Sequence, residues 1–442
     1  MQYVFGSYVL DTVTKVLTFC GERIVIQPKT LEVLGLLLRR ANSVVTRREV
    51  FDLAWGGADL DENNLTQQVF TARKILERYT PGSVHIVTHA GLGYSFVGDV
   101  RCLAERSSVS TELPWQQVLC GHYNFDKRTK ESIFKALRHF ETALAIDAEY
   151  APAIVGKAEV HAFLAQHLLV EPHDNFTLAR RFARSALSSD PNLGNAWAVL
   201  GQIALLSNWD RNTAWACLER AFLAAPFSPE VGINRALYHV AVGRPEPARS
   251  ELESLLRQEP TSLKLLTMFG VVMLYANCID SAIDHLENVL SMEPRYELAA
   301  CFLAEALAVA GKYGLALATS ERLLDSSYAQ RAIAVRGYCM GRTGDLPGCL
   351  RSLESMHEIA KIGVTSSFGP AQVYVAMGKP HRAIDALRQG LARRDPSLAF
   401  LSVNPIFESL RHSEGFKDIV RRVSVGSPKE SYDVDWSMAV TA

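Results

Sequence analysis

The stretch 63–77 reads NNLTQQVFTARKILE and carries apolar residues at helical spacing. Four of them fall on one helical face: Leu65, Val69, Ala72 and Leu76. The opposite face carries Gln67, Phe70, Thr71, Lys74 and Arg78. One face of this predicted helix is therefore suited to packing. The other offers an amide, a hydroxyl and cations, which are groups that reach base edges and phosphates in a major groove.

The residues around this helix predict a small α+β domain. Alternating β-branched and aromatic residues between positions 3 and 26, punctuated by glycines, indicate a small antiparallel sheet. Pro28 is expected to start a helix with a leucine face, and Thr46–Arg–Arg–Glu49 is a capping box that opens a second helix. Two β-rich runs, 84–88 and 94–97, flank Gly91-Leu92-Gly93 and predict a hairpin. The order sheet, three helices and hairpin is that of a winged helix-turn-helix.

Several spaced motifs in residues 3–98 resemble the DNA-binding domains of OmpR/PhoB-type transcription regulators. They are VVTRREVFDLAWG at 44–56, TARKIL at 71–76 and AGLGYSFV at 90–97. This resemblance implies that the third helix enters the major groove of promoter DNA and that the hairpin enters the minor groove. It also implies that the acidic 56–62 loop can face RNA polymerase.

These considerations define a set of expected contact residues. The residues expected to bind DNA are Arg47, Arg48, Asn64, Gln67, Gln68, Phe70, Thr71, Arg73, Lys74, Arg78, His89, Gly91, Gly93 and Ser95. The expected polymerase-facing positions are Gly57, Asp59 and Asp61. Gln67 and Thr71 are expected to contact bases, whereas Lys74 and Arg78 are expected to contact phosphates because their cations end flexible stems. The two wing glycines are expected to shape the hairpin tip rather than to read bases.

Charge localises any DNA-binding surface. The chain of 442 residues has a formal net charge of −1, and residues 1–100 carry ten cationic and ten anionic side chains. A globally basic nucleic-acid binder is therefore excluded, and a DNA-binding surface must be a local cluster of arginines and lysines.

The rest of the chain has a repeating pattern. Ala214, Ala248, Ala282 and Ala316 are each separated by 34 residues, and Leu218, Leu252 and Leu286 keep the same step. This period, with Gly270 and Pro294 in matching places, is the tetratricopeptide pattern of paired helices. Degenerate copies are expected near 115–151, 153–191, 331–360 and 367–396, with an insert near 167–176 and a helical cap at 397–420.

The sequence therefore predicts a multidomain chain: an N-terminal α+β winged helix-turn-helix followed by an all-α tetratricopeptide-repeat superhelix. The predicted boundaries are a winged-helix domain at 1–98, a linker at 99–114, repeats at 115–425 and a disordered tail at 426–442. The arrangement resembles bacterial regulators that join a winged helix to tetratricopeptide repeats. Without a signal peptide or an apolar run of membrane-spanning length, a cytoplasmic location is expected.

No sequence pattern points to catalysis. Metal-spaced His/Cys clusters, a nucleophile elbow and a Walker motif are absent from the sequence, and His85 and His89 lie on a strand-to-wing segment. The chain is therefore predicted not to be an enzyme and not to need a cofactor. The leading hypothesis is a transcription regulator, expected to be an activator, whose partners are double-stranded promoter DNA, RNA polymerase and a protein or small-molecule effector on the repeats. The alternative is a repeat scaffold whose winged helix docks protein rather than DNA.

Overall fold

The computed structural model describes residues 2–12, 15–20, 22–50, 62–80, 85–89, 91–98, 100–103 and 113–425. At 62–64, 101–103 and 362 the description is of the backbone alone. The chain divides into two compact units, Met1–Thr111 and Glu112–Ala442. The predicted disordered tail, 426–442, lies outside the described residues.

The N-terminal unit contains two antiparallel sheets. Its strands are β1 (Gln2–Phe5), β2 (Tyr8–Asp11), β3 (Val16–Phe19), β4 (Glu22–Ile24), β5 (Val45–Thr46), β6 (Ile86–His89), β7 (Gly93–Phe96) and β8 (Val100–Leu103). One sheet has the order β4-β3-β2-β1-β8 and the other the order β5-β7-β6. The helices are α1 (Pro28–Arg39) and α2 (Glu62–Tyr79), and residues 47–50 are also helical. The predicted winged helix-turn-helix is confirmed.

Alternation along the first strands builds the core of this unit. Tyr3, Phe5, Tyr8 and Leu10 are all buried, while the residues between them are more exposed. Such alternation follows from the two-residue period of a strand, which sends neighbouring side chains to opposite faces. The leucines predicted to form the face of the helix begun by Pro28 are buried beneath the same sheet.

The predicted linker at 99–114 is wrong at both ends. Residues 100–103 form β8, which pairs antiparallel with β1 from Val100 opposite Phe5 to Leu103 opposite Gln2. Pro114 is already the first residue of the next helix. The short VRCL segment was missed because β8 is an edge strand, so pairing with a strand nearly 100 residues earlier decides its conformation.

The repeat unit is helical throughout its described length. Its helices are α3 (Pro114–Phe125), α4 (Lys130–Ile146), α5 (Ala151–Gln166), α6 (Pro172–Ser189), α7 (Gly194–Leu206), α8 (Arg211–Ala224), α9 (Pro229–Ala241), α10 (Pro245–Gln258), α11 (Leu263–Tyr275), α12 (Ile279–Met292), α13 (Glu297–Val309), α14 (Tyr313–Glu321), α15 (Ala329–Arg342), α16 (Leu346–Ile362), α17 (Phe368–Ala376), α18 (Pro380–Arg393) and α19 (Glu414–Val425). From α3 to α18 they form eight consecutive pairs, which we call repeats.

Several repeats pack a glycine of the first helix against a large apolar residue of the second. An added Cβ at Gly201 would lie 2.7 Å from Leu218 Cγ, and one at Gly270 would lie 2.7 Å from Leu286 Cγ. This close approach explains why the same types of residue recur at the same spacing along the chain. The predicted repeat copies are confirmed, and the expected insert corresponds to a turn between α5 and α6.

The end of the repeat unit differs from the expected helical cap. Two 3-10 helices, Pro396–Phe400 and Pro405–Leu410, precede α19. The first packs against α5, α7 and α9, which are the first helices of three much earlier repeats. We call residues 395–410 the inner segment. It lies along the side of the superhelix formed by the first helices of the repeats, so only α19 resembles the predicted cap.

Contacts between distant repeats close the superhelix on itself. Lys264 Nζ on α11 lies 3.3 Å from Asp126 Oδ1, which follows α3. Tyr328 donates a hydrogen bond of 3.1 Å to the backbone carbonyl of Arg128, 200 residues earlier. These contacts join the first repeat to the fifth repeat and to the turn between the sixth and seventh repeats, which a purely linear stack of repeats does not do.

Within the part of the chain that the structure describes, no helix is both long and apolar enough to cross a membrane.

Candidate nucleic-acid interface

The α2 helix separates its two faces as the sequence predicted. Its four apolar stripe residues, Leu65, Val69, Ala72 and Leu76, are at most 1% exposed and belong to the core of the N-terminal unit. On the other face Gln67, Phe70, Lys74 and Arg78 are exposed, and the Phe70 side chain is 62% exposed. A phenyl ring left this open on a helix is unsupported by local packing, so it is free to meet a surface presented by a partner.

Hydrogen bonds from Tyr8 and Thr30 fix the position of α2. The Tyr8 hydroxyl donates to the backbone carbonyl of Leu76 at 2.8 Å and lies 3.1 Å from Thr80 Oγ1. The hydroxyl of Thr30, which is fully buried in α1, donates to Gln68 Oε1 at 2.6 Å. The sheet therefore holds the helix near its C-terminal end, and α1 holds it at Gln68. Because its oxygen is engaged by Thr30, Gln68 is in part a structural residue rather than a free reader of bases.

The exposed cations of this face are unpaired within the described chain. Lys74 and Arg78 are exposed, and neither makes an ion pair or side-chain hydrogen bond to another described residue. Thr71, about one turn before Lys74, donates its hydroxyl to the backbone carbonyl of Gln67 at 2.8 Å. The Gln67 amide itself has no partner in the described residues. Both cations and this amide thus remain available to an external ligand.

The predicted capping box forms at the helix that precedes α2. The backbone N–H of Thr46 donates to Glu49 Oε2 at 2.9 Å, and the Glu49 N–H donates back to Thr46 Oγ1 at 3.3 Å. The backbone N–H and the hydroxyl of Thr46, which both donate to the Glu49 carboxylate, and Arg40 Nη1 at 2.8 Å from it lower the pKa of Glu49 to about 2. Glu49 and Arg40 neutralise each other, and the exposed Arg48 stays without a partner among the described residues. Arg47, at the same helix start, is half-buried and already engaged.

The wing is a hairpin whose glycines have different tasks. Gly91 has φ of +74°, a left-handed conformation that side chains disfavour, and it lies exposed at the tip. Gly93 is buried, and a Cβ there would stand 2.0 Å from the backbone oxygen of Val45 on the paired strand β5. Leu92 is 62% exposed between them. Leu92 was not among the expected contacts, although an apolar residue between two glycines of a predicted turn is a signal that could have identified it.

Three expected DNA-contacting side chains are instead engaged within the unit. Arg73 donates from Nε to the Ile86 carbonyl at 3.0 Å and from Nη2 to Thr88 Oγ1 at 2.7 Å, which ties α2 to the wing. Ser95 is 4% exposed, and its hydroxyl lies 2.9 Å from His89 Nε2. Direct DNA contact through the Ser95 side chain is therefore not supported by its position. The sequence spacing did not predict that Ser95 is buried, because its burial results from the position of β7 as the central strand of its sheet.

Part of the expected interface lies outside the described residues. This applies to the predicted polymerase-facing positions Gly57, Asp59 and Asp61 and to the side chain of Asn64. The remaining expected contacts of α2 and the wing are brought into one small unit by the packing described above.

Comparison with known proteins identifies the type of this unit. Residues 21–96 match the family described as "Transcriptional regulatory protein, C terminal". The transcriptional regulator HilA of Salmonella typhimurium is 30% identical over 95 residues, which are 22% of this chain and 17% of HilA. The cholera toxin homolog transcriptional activator of Vibrio parahaemolyticus is 27% identical over 130 residues, 29% of this chain and 44% of that protein.

A third relative extends the comparison to another bacterial group. The sensory transduction protein RegX3 of Mycolicibacterium smegmatis is 32% identical over 94 residues, which cover 21% of this chain and 41% of RegX3. The chain thus spans less than half the length of each of these curated relatives.

Proposed function

Residues 21–96 form an OmpR/PhoB-type DNA-binding domain, and from this premise we propose that the chain is a sequence-specific transcription regulator. In this proposal α2 lies in the major groove of promoter DNA, and the wing around Gly91 reaches the neighbouring minor groove. The exposed face of α2 is the observation that carries the proposal, since its opposite face is fully committed to the core.

The side chains on this face suggest a division of labour. The unpartnered amide of Gln67 can form two hydrogen bonds with the major-groove edge of an adenine, accepting from N6 and donating to N7, and the exposed ring of Phe70 can contact a thymine methyl. Lys74, Arg78 and Arg48 are free cations within the described residues, so phosphate contact is their natural use. Because the net charge of the chain is −1, these few local cations must supply most of the electrostatic affinity.

Arg73 has a different role in this proposal. Its two hydrogen bonds to β6 set the angle between α2 and the wing. This angle determines whether the helix and the wing can reach neighbouring grooves of the same duplex. His89 and Ser95 support the wing from within through their mutual hydrogen bond. The base-contacting set is therefore narrower than the sequence alone implied.

We further propose activation as the regulatory outcome. The support is the relative from Vibrio parahaemolyticus, which is named a transcriptional activator. The acidic 56–62 loop is the proposed contact with RNA polymerase, because its carboxylates are poor partners for phosphate. The repeat unit is proposed to receive the regulatory signal, and its paired helices make it suitable for a partner or effector.

A binding matrix on the full chain tests the DNA proposal. Gln67→Ala and Lys74→Ala are measured on a site selected from a random duplex library and on a scrambled site, at low and high salt. Gln67→Ala is expected to lose about 1–3 kcal/mol on the selected site alone. Lys74→Ala is expected to weaken both sites alike and to lower the salt slope by about one unit.

Arg23→Ala provides the matched control for charge. Arg23 is exposed on β4, away from α2 in the sequence. Arg23→Ala removes one positive charge, as Lys74→Ala does. Its salt slope is expected to match that of the unsubstituted chain. An affinity for DNA without salt dependence, or none at all, would favour the alternative function, a scaffold whose winged helix docks protein.

A further inference from the structure

The repeat unit contains a partly open cavity of about 760 Å³ that no part of the proposed DNA-binding function uses. We call it the inner cavity. Its walls come from the first helices of several repeats, from α16 and α18, and from the inner segment. The wall is mainly apolar and includes the buried residues Leu237, Phe302, Val335 and Phe400 and the half-buried Met268. A volume of this size is within the range of sites that hold small organic molecules.

The inner segment is locked to the repeats on one side of this cavity. The Phe400 ring stacks on Tyr275 with centroids 5.7 Å apart and an interplanar angle of 10°. Asn404, which is 1% exposed, donates to Glu305 Oε1 at 2.9 Å, and Arg331 donates to the other oxygen of the same carboxylate at 3.1 Å. Glu305 and Arg331 neutralise each other, so the cavity wall carries no uncompensated charge at this point.

One buried polar group in the wall has no partner. Gln372 is 6% exposed, lines the cavity and makes no hydrogen bond to any described residue. The Gln372 amide therefore faces the cavity without a hydrogen-bond partner among the described residues, and a ligand or a water molecule in the cavity can bond to it.

Among the charged residues of the wall that make no ion pair, cations outnumber carboxylates. Four cations line the cavity, and three of them, Lys379, Arg382 and Arg393, are exposed and make no ion pair among the described residues. The four lining carboxylates differ. Glu305, Glu358 and Asp385 pair with Arg331, Lys361 and Arg388, which leaves Glu354 alone. The open side therefore presents three free cations against one free carboxylate.

We propose that the inner cavity binds an amphipathic organic anion. The apolar body of this ligand lies among Met268, Phe302, Val335 and Phe400, and its acidic head lies toward the cations of α18. The apolar wall and the excess of free cations select this combination over a neutral or a cationic ligand. Because the inner segment supplies one wall, the ligand also bridges it to the repeats. This inference goes beyond DNA recognition and does not depend on it.

A pair of matched probes tests the proposal on the full chain. 8-Anilinonaphthalene-1-sulfonate has an aromatic body and one anionic head, and N-phenyl-1-naphthylamine has the same rings without the sulfonate. Fluorescence titration of the folded protein is expected to show one saturable site for the sulfonate. The double variant Arg382→Gln/Arg393→Gln is expected to weaken the sulfonate about tenfold, the effect of lost charge-assisted hydrogen bonds, and to change the neutral probe by less than about twofold.

Two further variants locate the site and control for charge. Val335→Phe fills the apolar part of the cavity and is expected to abolish binding of both probes while the variant still melts cooperatively. Arg295→Gln removes an exposed cation that does not line the cavity and is expected to bind both probes as the unsubstituted chain does.

The proposal is overturned if no saturable site is found, if the arginine variant weakens both probes equally, or if Val335→Phe still binds them. Probe binding with the expected pattern, together with no DNA affinity, would retain this inference and refute the proposed function. The two are therefore tested separately.

Discussion

Gly270 provides a sharp test of the packing that holds a repeat together. An added Cβ at this position would lie 2.7 Å from Cγ and 2.9 Å from Cδ2 of Leu286, and Leu286 is fully buried. A methyl group at Gly270 therefore has to displace the branched end of a side chain that has no open space around it. By this reasoning Gly270→Ala destabilises the repeat unit, although alanine is the better helix former.

The change in the free energy of unfolding that we expect for Gly270→Ala is the difference between two opposing effects. Alanine gains about 0.8–1.0 kcal/mol of helix propensity over glycine in a helix interior. Overpacking a core costs about 1–3 kcal/mol. Because the two closest contacts are with a buried branched carbon, we expect the upper part of that range, and hence a net loss of about 1–2 kcal/mol. Leu286→Ala alone should cost about 2–5 kcal/mol.

A double-mutant cycle separates the clash from other effects. Urea unfolding followed by far-ultraviolet circular dichroism is measured for both single variants and for the double variant. In the double variant the new methyl occupies part of the space left by leucine, so the loss should be smaller than the sum by about 1–2 kcal/mol. Gly314→Ala is the control, because Gly314 is helical in α14 and has nothing within 4 Å of an added Cβ.

The control should be neutral or stabilising by up to about 1 kcal/mol. If Gly270→Ala stabilises the chain as Gly314→Ala does, or if the losses of the two single variants simply add, the clash between an added Cβ and Leu286 is refuted.

Three further predictions concern other parts of the chain. Ala282→Asp, which buries a carboxylate in a fully buried position, should lower repeat stability by several kcal/mol, and a wild-type melting curve would contradict the assigned packing. Burial raises the pKa of Glu159 from 4.5 to about 8, so ionisation opposes folding, and Glu159→Gln should gain stability relative to wild type as pH rises from 4.5 to 8. Glu287→Gln, at an exposed carboxylate, should show no such trend in the same pH series of unfolding curves. Changing Asp59 and Asp61 to Ala should reduce in vitro transcription with promoter affinity retained, and equal loss of both would assign the loop to DNA docking or folding.

The linear pattern of the sequence was sufficient to determine the class of fold and the two faces of α2. Leu65, Val69, Ala72 and Leu76 are buried because helical periodicity alone places them on one side, and the 34-residue step identified the repeats for the same reason. The capping box at Thr46 and Glu49 was predictable because both partners are local. Local geometry depends on neighbours within a few residues, which a sequence displays directly.

Tertiary structure decided the features that join distant parts of the chain. β8 exists because it pairs with β1, and Arg73 and Ser95 are engaged because β6 and β7 lie against α2 and each other. Similarly, the inner segment lies along repeats that precede it by more than 150 residues, so periodicity could assign it neither a position nor the cavity it helps to enclose. A repeat pattern records only contacts between neighbouring repeats, whereas the closure of the superhelix is determined by the accumulated rotation of all of them.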